Sequence, residues 1–369
     1  MSTSSRFTGL LTSFALLFVL LERAAAQDVT TSVYVRTDTD HTTVVTPRVR
    51  AGSKLGSASR VDLTYSADVW TSASIDIRSS ASKAITEQRD ELNVGASHEL
   101  EDGTLSASYR FSTEPDYKSH GVTLGASRDF ARKNTSLALS GSALFDRVGR
   151  AGDPGFSRDL QTFVLRASGT QILDNASWLQ LLYELGYATG YLASPYRFVG
   201  IGTDSPRCSA ASSLCVREAL PDERVRNAVA LIARRALGEG VSLGASYRFY
   251  IDGWRLNSHT AQLIVSVMPA QTTRLSLDYR FYTQSAARYY QVSTPNLASL
   301  GRFTTRDKEL SPFMSHALTL TLDQTIPFGL TGAVHLALAA GPTVYLFSDF
   351  FAYDHLYAFE STLAVRAEL

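Results

Sequence analysis

The sequence predicts an all-β protein, a transmembrane antiparallel up-and-down β-barrel of sixteen strands, and three observations carry that prediction. After residue 28 the chain falls into segments in which apolar and polar side chains alternate with a period of two, placing one class on each face of a strand. Tight turns and longer connections then alternate between these segments, as they do at the two ends of an outer-membrane barrel. Beyond the first two dozen residues no stretch approaches the roughly 20 consecutive apolar residues that a membrane-spanning helix needs. Composition agrees: of 369 residues 44% are apolar and 19% charged, with 17 Tyr and 18 Phe, a balance suited to a surface in lipid. The 35 Lys and Arg are matched by 35 Asp and Glu. Such neutrality argues against a nucleic-acid partner, which calls for a basic surplus.

Residues 1–26 read as a cleaved secretory signal, leaving 27–369 as a single barrel domain. Arg6 supplies the positive start, Gly9 to Leu21 the apolar stretch, and Ala24-Ala25-Ala26 a cleavage site before Gln27. No Cys lies near that site, so a lipid anchor is not expected. The destination implied is the outer membrane of a Gram-negative cell, with its lipid as the first partner.

The first hairpin is expected at Val29 to Thr37 and Thr42 to Lys54 around Asp38-Thr39-Asp40; counting it gives sixteen strands, omitting it fourteen. Short turns follow at Gly56-Ser57, Glu101-Asp102-Gly103, Arg132-Lys133-Asn134, Asp174-Asn175-Ala176, Gly238-Glu239-Gly240, Ala270-Gln271-Thr272 and Phe328-Gly329. Between them run longer connections near Thr71 to Ala84, Ser112 to Ser119, Gly149 to Phe156, Leu192 to Arg224, Asp252 to Ser258, Gln291 to Leu310 and Ser348 to Leu356. Arg224 to Leu237 is rich in helix formers. Its Val225, Val229, Leu231 and Leu237 nevertheless alternate against Arg226 and Arg234, and a turn follows where a barrel needs one, so we read a strand. The final strand sets Tyr357, Phe359, Leu363, Val365 and Leu369 against Glu360, Thr362, Arg366 and Glu368. An apolar last residue on such a strand resembles the C-terminal signal read by barrel-assembly machinery, with Leu369 in place of the usual Phe.

One motif recurs: Leu105 to Phe111, Leu243 to Phe249 and Leu275 to Phe281 each carry Tyr-Arg-Phe at the end of a strand that begins after a short turn. Alternation places the rings on the lipid face as an interfacial girdle and Arg110, Arg248 and Arg280 in the lumen at one height. Two readings stand for these arginines. They form an electropositive, anion-favouring ring, or they pair with luminal acids such as Asp278, Glu184, Asp62 and Glu360 and hold the wall together, which the supply of both signs favours. These five side chains, Arg110, Arg248, Arg280, Asp278 and Glu184, are the expected pore lining.

Cys208 and Cys215 are the only cysteines, and in an exported chain they are most simply one disulfide pinning a loop. Two thiolates without a nearby His fall short of a zinc site. The seven His are scattered, and no G-x-S-x-G motif, phosphate loop or dinucleotide fingerprint is visible. The chain is therefore expected to carry no catalytic residues, metal or cofactor and to be no enzyme.

Asp222-Glu223-Arg224, Tyr247 to Trp254, Asn257-Ser258-His259-Thr260 and Arg280 to Tyr290, together with Asp68 to Asp76 earlier on, form a pattern that resembles an uncharacterised family of Gram-negative outer-membrane β-barrel proteins, a domain of unknown function. The likeness spans most of the chain. Where that family has Tyr-Arg-Tyr-Tyr followed by two acids, this sequence has Tyr-Arg-Phe-Tyr and the single Asp252. The resemblance implies a barrel, in some cases encoded beside periplasmic thioredoxin-like and flavin-transferring proteins, and supplies neither substrate nor catalytic residue. Within these blocks Asp252, Trp254, His259, Gln284 and Tyr289 are expected to cluster at the external rim. There they either bind a ligand or, more often the use of such a patch, pack the loop Gln291 to Leu310 onto the barrel. The function expected is a porin-like channel for small solutes, since sixteen strands enclose water. The alternative is a scaffold or conduit docking a periplasmic partner, redox or otherwise; an outer-membrane hydrolase stands third.

Overall fold

The computed structural model describes residues 28–72, 85–202, 208, 214–294, 296–328 and 332–368. The signal segment, Gly329 of the last short turn and Leu369 lie outside the described residues.

Strand alternation is realised as a closed barrel. Its first nine strands are β1 (Asp28–Asp38), β2 (Thr42–Leu55), β3 (Ser59–Ser72), β4 (Ile85–Leu100), β5 (Gly103–Thr113), β6 (Tyr117–Phe130), β7 (Thr135–Val148), β8 (Arg158–Asp174) and β9 (Ser177–Gly190). Two short strands outside the barrel follow, β10 (Phe198–Ile201) and β11 (Cys215–Arg217). The wall resumes with β12 (Glu223–Gly238), β13 (Val241–Asp252), β14 (Asn257–Ala270) and β15 (Thr273–Gln284). After the two-residue β16 (Ser293–Thr294) it ends with β17 (Phe313–Phe328), β18 (Gly332–Phe347) and β19 (His355–Glu368). Every wall strand pairs antiparallel with its sequence neighbour in the wall, and β1 closes on β19 from Asp28↔Glu368 to Asp38↔Ala358. The closed sheet leaves no edge, as a lipid-facing sheet must. The first hairpin exists, so the wall has sixteen strands. No described helix is long and apolar enough to cross a membrane.

The helix-prone segment is β12, paired along its length with β9 and β13. Two ladders that satisfy each backbone group outweigh propensity differences of a few tenths of a kcal/mol per residue. Tight connections such as Gly238 to Val241 sit at one end, where Gly240 has φ +72° and an added Cβ would lie 3.0 Å from the Met268 carbonyl oxygen. The long connections 191–222 and 285–312 sit at the other.

Parity follows the expected division. On β6 the exposed Lys118, His120, Val122, Leu124 and Ala126 face outward, and the less exposed Tyr117, Ser119, Gly121, Thr123 and Gly125 face in. Leu124, Leu139, Leu181, Leu231, Leu263, Leu320 and Leu363 are among the large apolar side chains left exposed, a surface that only lipid or another apolar phase would cover. Towards the long-loop end the outward tyrosines form a repeated contact. Each phenol bonds a polar side chain two residues further on across the neighbouring strand: Tyr65 to Asp90 (2.6 Å), Tyr109 to His120 (2.7 Å), Tyr183 to Asn227 (2.7 Å), Tyr187 to Glu223 (3.0 Å), Tyr247 to His259 (2.6 Å) and Tyr279 to His316 (2.8 Å). At the three Tyr-Arg-Phe motifs the same His packs against the Phe, with centroids 5.0 to 5.2 Å apart. This is an interfacial girdle in which each ring is apolar on one side and hydrogen-bonded on the other.

Candidate functional site

The inward faces of the strands carry most of the charge. Arg110 of β5 is held by Glu91 (3.0 Å) and Ser119 (3.4 Å). Glu184 of β9 is bonded by Arg166 (2.7 Å) and lies 3.9 Å from Arg248 of β13. Arg280 of β15 stands over the Tyr282 ring at 5.6 Å, and Asp278 accepts from Gln262 at 2.5 Å. Arg248 and Arg280 are separated in the wall by one strand, β14, while Arg110 lies six strands away from Arg248. Arg248 likewise stands over the Tyr250 ring at 5.5 Å, so the three motif arginines differ in their acids: Arg110 is neutralised by Glu91, and Arg248 shares Glu184 with a closer competitor.

Over the long-loop mouth the described residues of the connections 191–222 and 285–312 fold together into a cap. Strands β11, β10 and β16 make a three-stranded sheet in that order, with β10 and β16 parallel, and bridges at Ala219↔Thr304 and Tyr290↔Thr305 extend it. A disulfide joins Cys208 to Cys215, the first residue of β11. The centre of the cap is polar. Glu218 accepts from the Ser194 amide (2.6 Å) and the Thr305 hydroxyl (2.5 Å), and Arg197 reaches both Glu218 (3.3 Å) and Asp307 (2.9 Å). The Glu218 side chain is 1% exposed, and burial pushes its carboxyl above the ordinary range despite Arg197 beside it. Buried Arg306 lies over the Phe351 ring at 4.3 Å, tying the cap to the connection after β18.

The cap is seated on the wall through an apolar cluster of Trp254, Leu256, Ala287, Tyr290 and Leu310 and through two polar anchors. Asp252 is one, acting through the turn it shapes: it pairs with Arg224 and accepts from the Tyr250 hydroxyl (2.9 Å) and from the amides of Trp254 (2.9 Å) and Leu256 (3.0 Å), and the Trp254 carbonyl so placed accepts from the Arg288 amide of the cap at 2.7 Å. Arg224 also covers the Trp254 ring at 4.2 Å, and Trp254 meets Tyr289 edge-on at 6.0 Å. Gln284 is the other, donating to the carbonyls of Glu309 (2.8 Å) and Ser311 (2.6 Å). Beneath them is a cavity of about 300 Å³ with Arg248, Tyr250, Tyr282 and Gln284 on the wall side and Asp307 and Glu309 on the cap side.

The structure thus brings together Asp252, Trp254, Gln284 and Tyr289, and corrects the fifth member of the predicted rim patch. His259 lies on the outer face, bonded to Tyr247 and packed on Phe249. Its neighbour Ser258 is buried on the inner side, and a pleat sends successive side chains to opposite faces. Sequence reasoning missed Arg224, although its parity with Arg226 and Arg234 marks it as inward-facing. It also missed Arg197, Glu218 and Asp307, which lie in connections with no periodicity to read. Among the described residues no group of three or more His, Cys, Asp or Glu is placed to hold a metal.

A model of a protein family of unknown function (DUF3570) matches residues 78–163 and 155–338. The chain belongs to that family. No curated protein matches the sequence. Among solved structures this member of the family is similar to a bacterial polysaccharide outer membrane secretin at 8% identity and a TM-score of 0.51, over 92% of this chain and 98% of that one. It is similar to CdiB from Acinetobacter baumannii at 11% identity and 0.50, over 91% of this chain and 60% of that one, so it spans less than two thirds of CdiB. OprD of Pseudomonas aeruginosa aligns at 8% identity and 0.46, over 93% and 95%. At such identities the likeness is one of fold, that of outer-membrane barrels.

Proposed function

We propose that this protein is a porin-like, non-enzymatic channel for small solutes in the outer membrane, exported by cleavage after Ala26 and held closed at its external mouth by the cap. The observation that carries the reading is a sixteen-strand wall with a charged interior, a circumference that encloses water in barrels of this size. The long-loop end is taken as external, as in outer-membrane barrels generally. Conduction would follow the inner wall past Arg248 and Arg280, and releasing the cap would open the route. Single-channel recording of the folded protein in a planar bilayer is the test. Stable steps that grow when Arg197→Ala loosens the cap support the channel. Silence from both proteins, each shown to be folded by heat-modifiable migration, would overturn it and favour a second reading: a barrel closed on the outside that docks a periplasmic partner.

A further inference from the structure

The outer surface of β6–β9 combines two features that fit one ligand. Lys118 and Arg147 stand directly opposite each other in the β6–β7 ladder, on the outward face, at the long-loop end. Like charges so placed repel unless something between them is negative. Arg147 is partly answered by Asp159 at 3.1 Å, a pair exposed on both sides (62% and 70%), and the Lys118 ammonium has no acidic partner among the described residues. Other outward positions at that end carry neutral or acidic side chains, such as Thr113, Thr189, Glu223 and Thr283. One step down the same ladder His120 faces Phe145, and His120 takes part in the girdle through Tyr109. At a strand rise of about 3.4 Å per residue the two cations lie about 7 Å beyond that girdle, the depth of lipid headgroups.

Below the girdle the lipid-facing surface is hollowed. A groove of about 400 Å³ is lined by Val122, Leu124, Ala143, Phe163 and Leu165, and a second of about 660 Å³ by Ala126, Leu137, Leu139, Leu181 and Tyr183. They follow one another down the same four strands, since Val122 and Leu124 precede Ala126 on β6 and Phe163 and Leu165 precede Ala167 and Gly169 on β8. Apolar grooves beneath a cationic pair complement a phosphate with acyl chains.

We propose that this face is a binding site for one phosphate-bearing acyl lipid, its phosphate between Lys118 and Arg147 and its chains in the two grooves. The site rests on the outer-membrane reading and is independent of whether the lumen conducts. Native mass spectrometry of the full barrel, folded in lipid-free detergent and given diphosphoryl lipid A, dephosphorylated lipid A or inorganic phosphate, is the test. One diphosphoryl lipid retained per barrel is expected, with at least tenfold less retention for K118Q/R147Q and for the dephosphorylated lipid, and no competition from inorganic phosphate at equal concentration. K133Q, in the β6–β7 turn at the opposite end of the same strands and outside both grooves, should keep the lipid, and A143F should lose it by filling the groove. Equal retention by K118Q/R147Q, displacement by inorganic phosphate alone, or a dimer of barrels masking the face would overturn the proposal. Heat-modifiable migration of each variant separates loss of the site from failure to fold.

Discussion

Asp252 gathers Arg224, Tyr250 and two backbone amides around a carboxylate that water does not reach. Removing one partner of a buried ion pair strands the other, at a cost of about 3–5 kcal/mol. Asp252→Ala is therefore expected to release the cap: limited proteolysis should cut within 191–222 and 285–312 while the wall keeps its heat-modifiable migration. Persistent protection of both segments would show that the apolar cluster alone seats the cap. The girdle makes a smaller demand. Tyr247→Phe deletes one bond to His259 at an exposed site, a loss of about 1 kcal/mol, read as a lower unfolding midpoint in detergent with unchanged migration.

At the scale of elements, the cap is joined to itself through Glu218. Its carboxyl is raised by burial, so between the ordinary carboxylate range and that raised value the docked cap binds more protons than the released loop. Docking stability then falls as pH climbs through that window and is greatest below it. The accessibility of 191–222 to protease should rise with pH across the window. Glu218→Gln, neutral throughout, should flatten the profile, and a profile unchanged by that substitution would assign the pH dependence to another group. Turns set a different limit: Gly240→Ala places a Cβ at positive φ and against the Met268 carbonyl, and about 1–2 kcal/mol of stability should be lost.

For the molecule as a whole, the proposed channel makes the inner wall of β9 and β12–β15 the place where ion preference would be set. Arg110 is neutralised by Glu91 and is expected to be silent in selectivity. Arg248 and Arg280, with a shared acid and an aromatic face as their partners, are expected to carry any anion preference. Reversal potentials in a salt gradient should move towards cations for R248S/R280S and stay put for R110S; the opposite pattern would show that pairing does not govern the field in this lumen. A preference spread over all three would restore the picture of a uniform ring.

Alternation together with the turns determined an all-β barrel of sixteen or fourteen strands and the faces of the strands it read, because in a membrane barrel each strand meets lipid on one side and water on the other, which a period of two writes into the chain; the closed wall decided for sixteen. Alternation was strong enough to fix β12 as a strand against its helix-forming composition. The Tyr-Arg-Phe repeat likewise marked the girdle, yet its His partners come from neighbouring strands and needed the register. Only the tertiary structure turned His259 outward while gathering Asp252, Trp254, Gln284 and Tyr289. The cap was illegible for a physical reason: strands of two to four residues, paired across tens of residues and partly in parallel, leave no periodic trace. Their burial is set by what packs over them, which only the closed wall and the neighbouring connection supply.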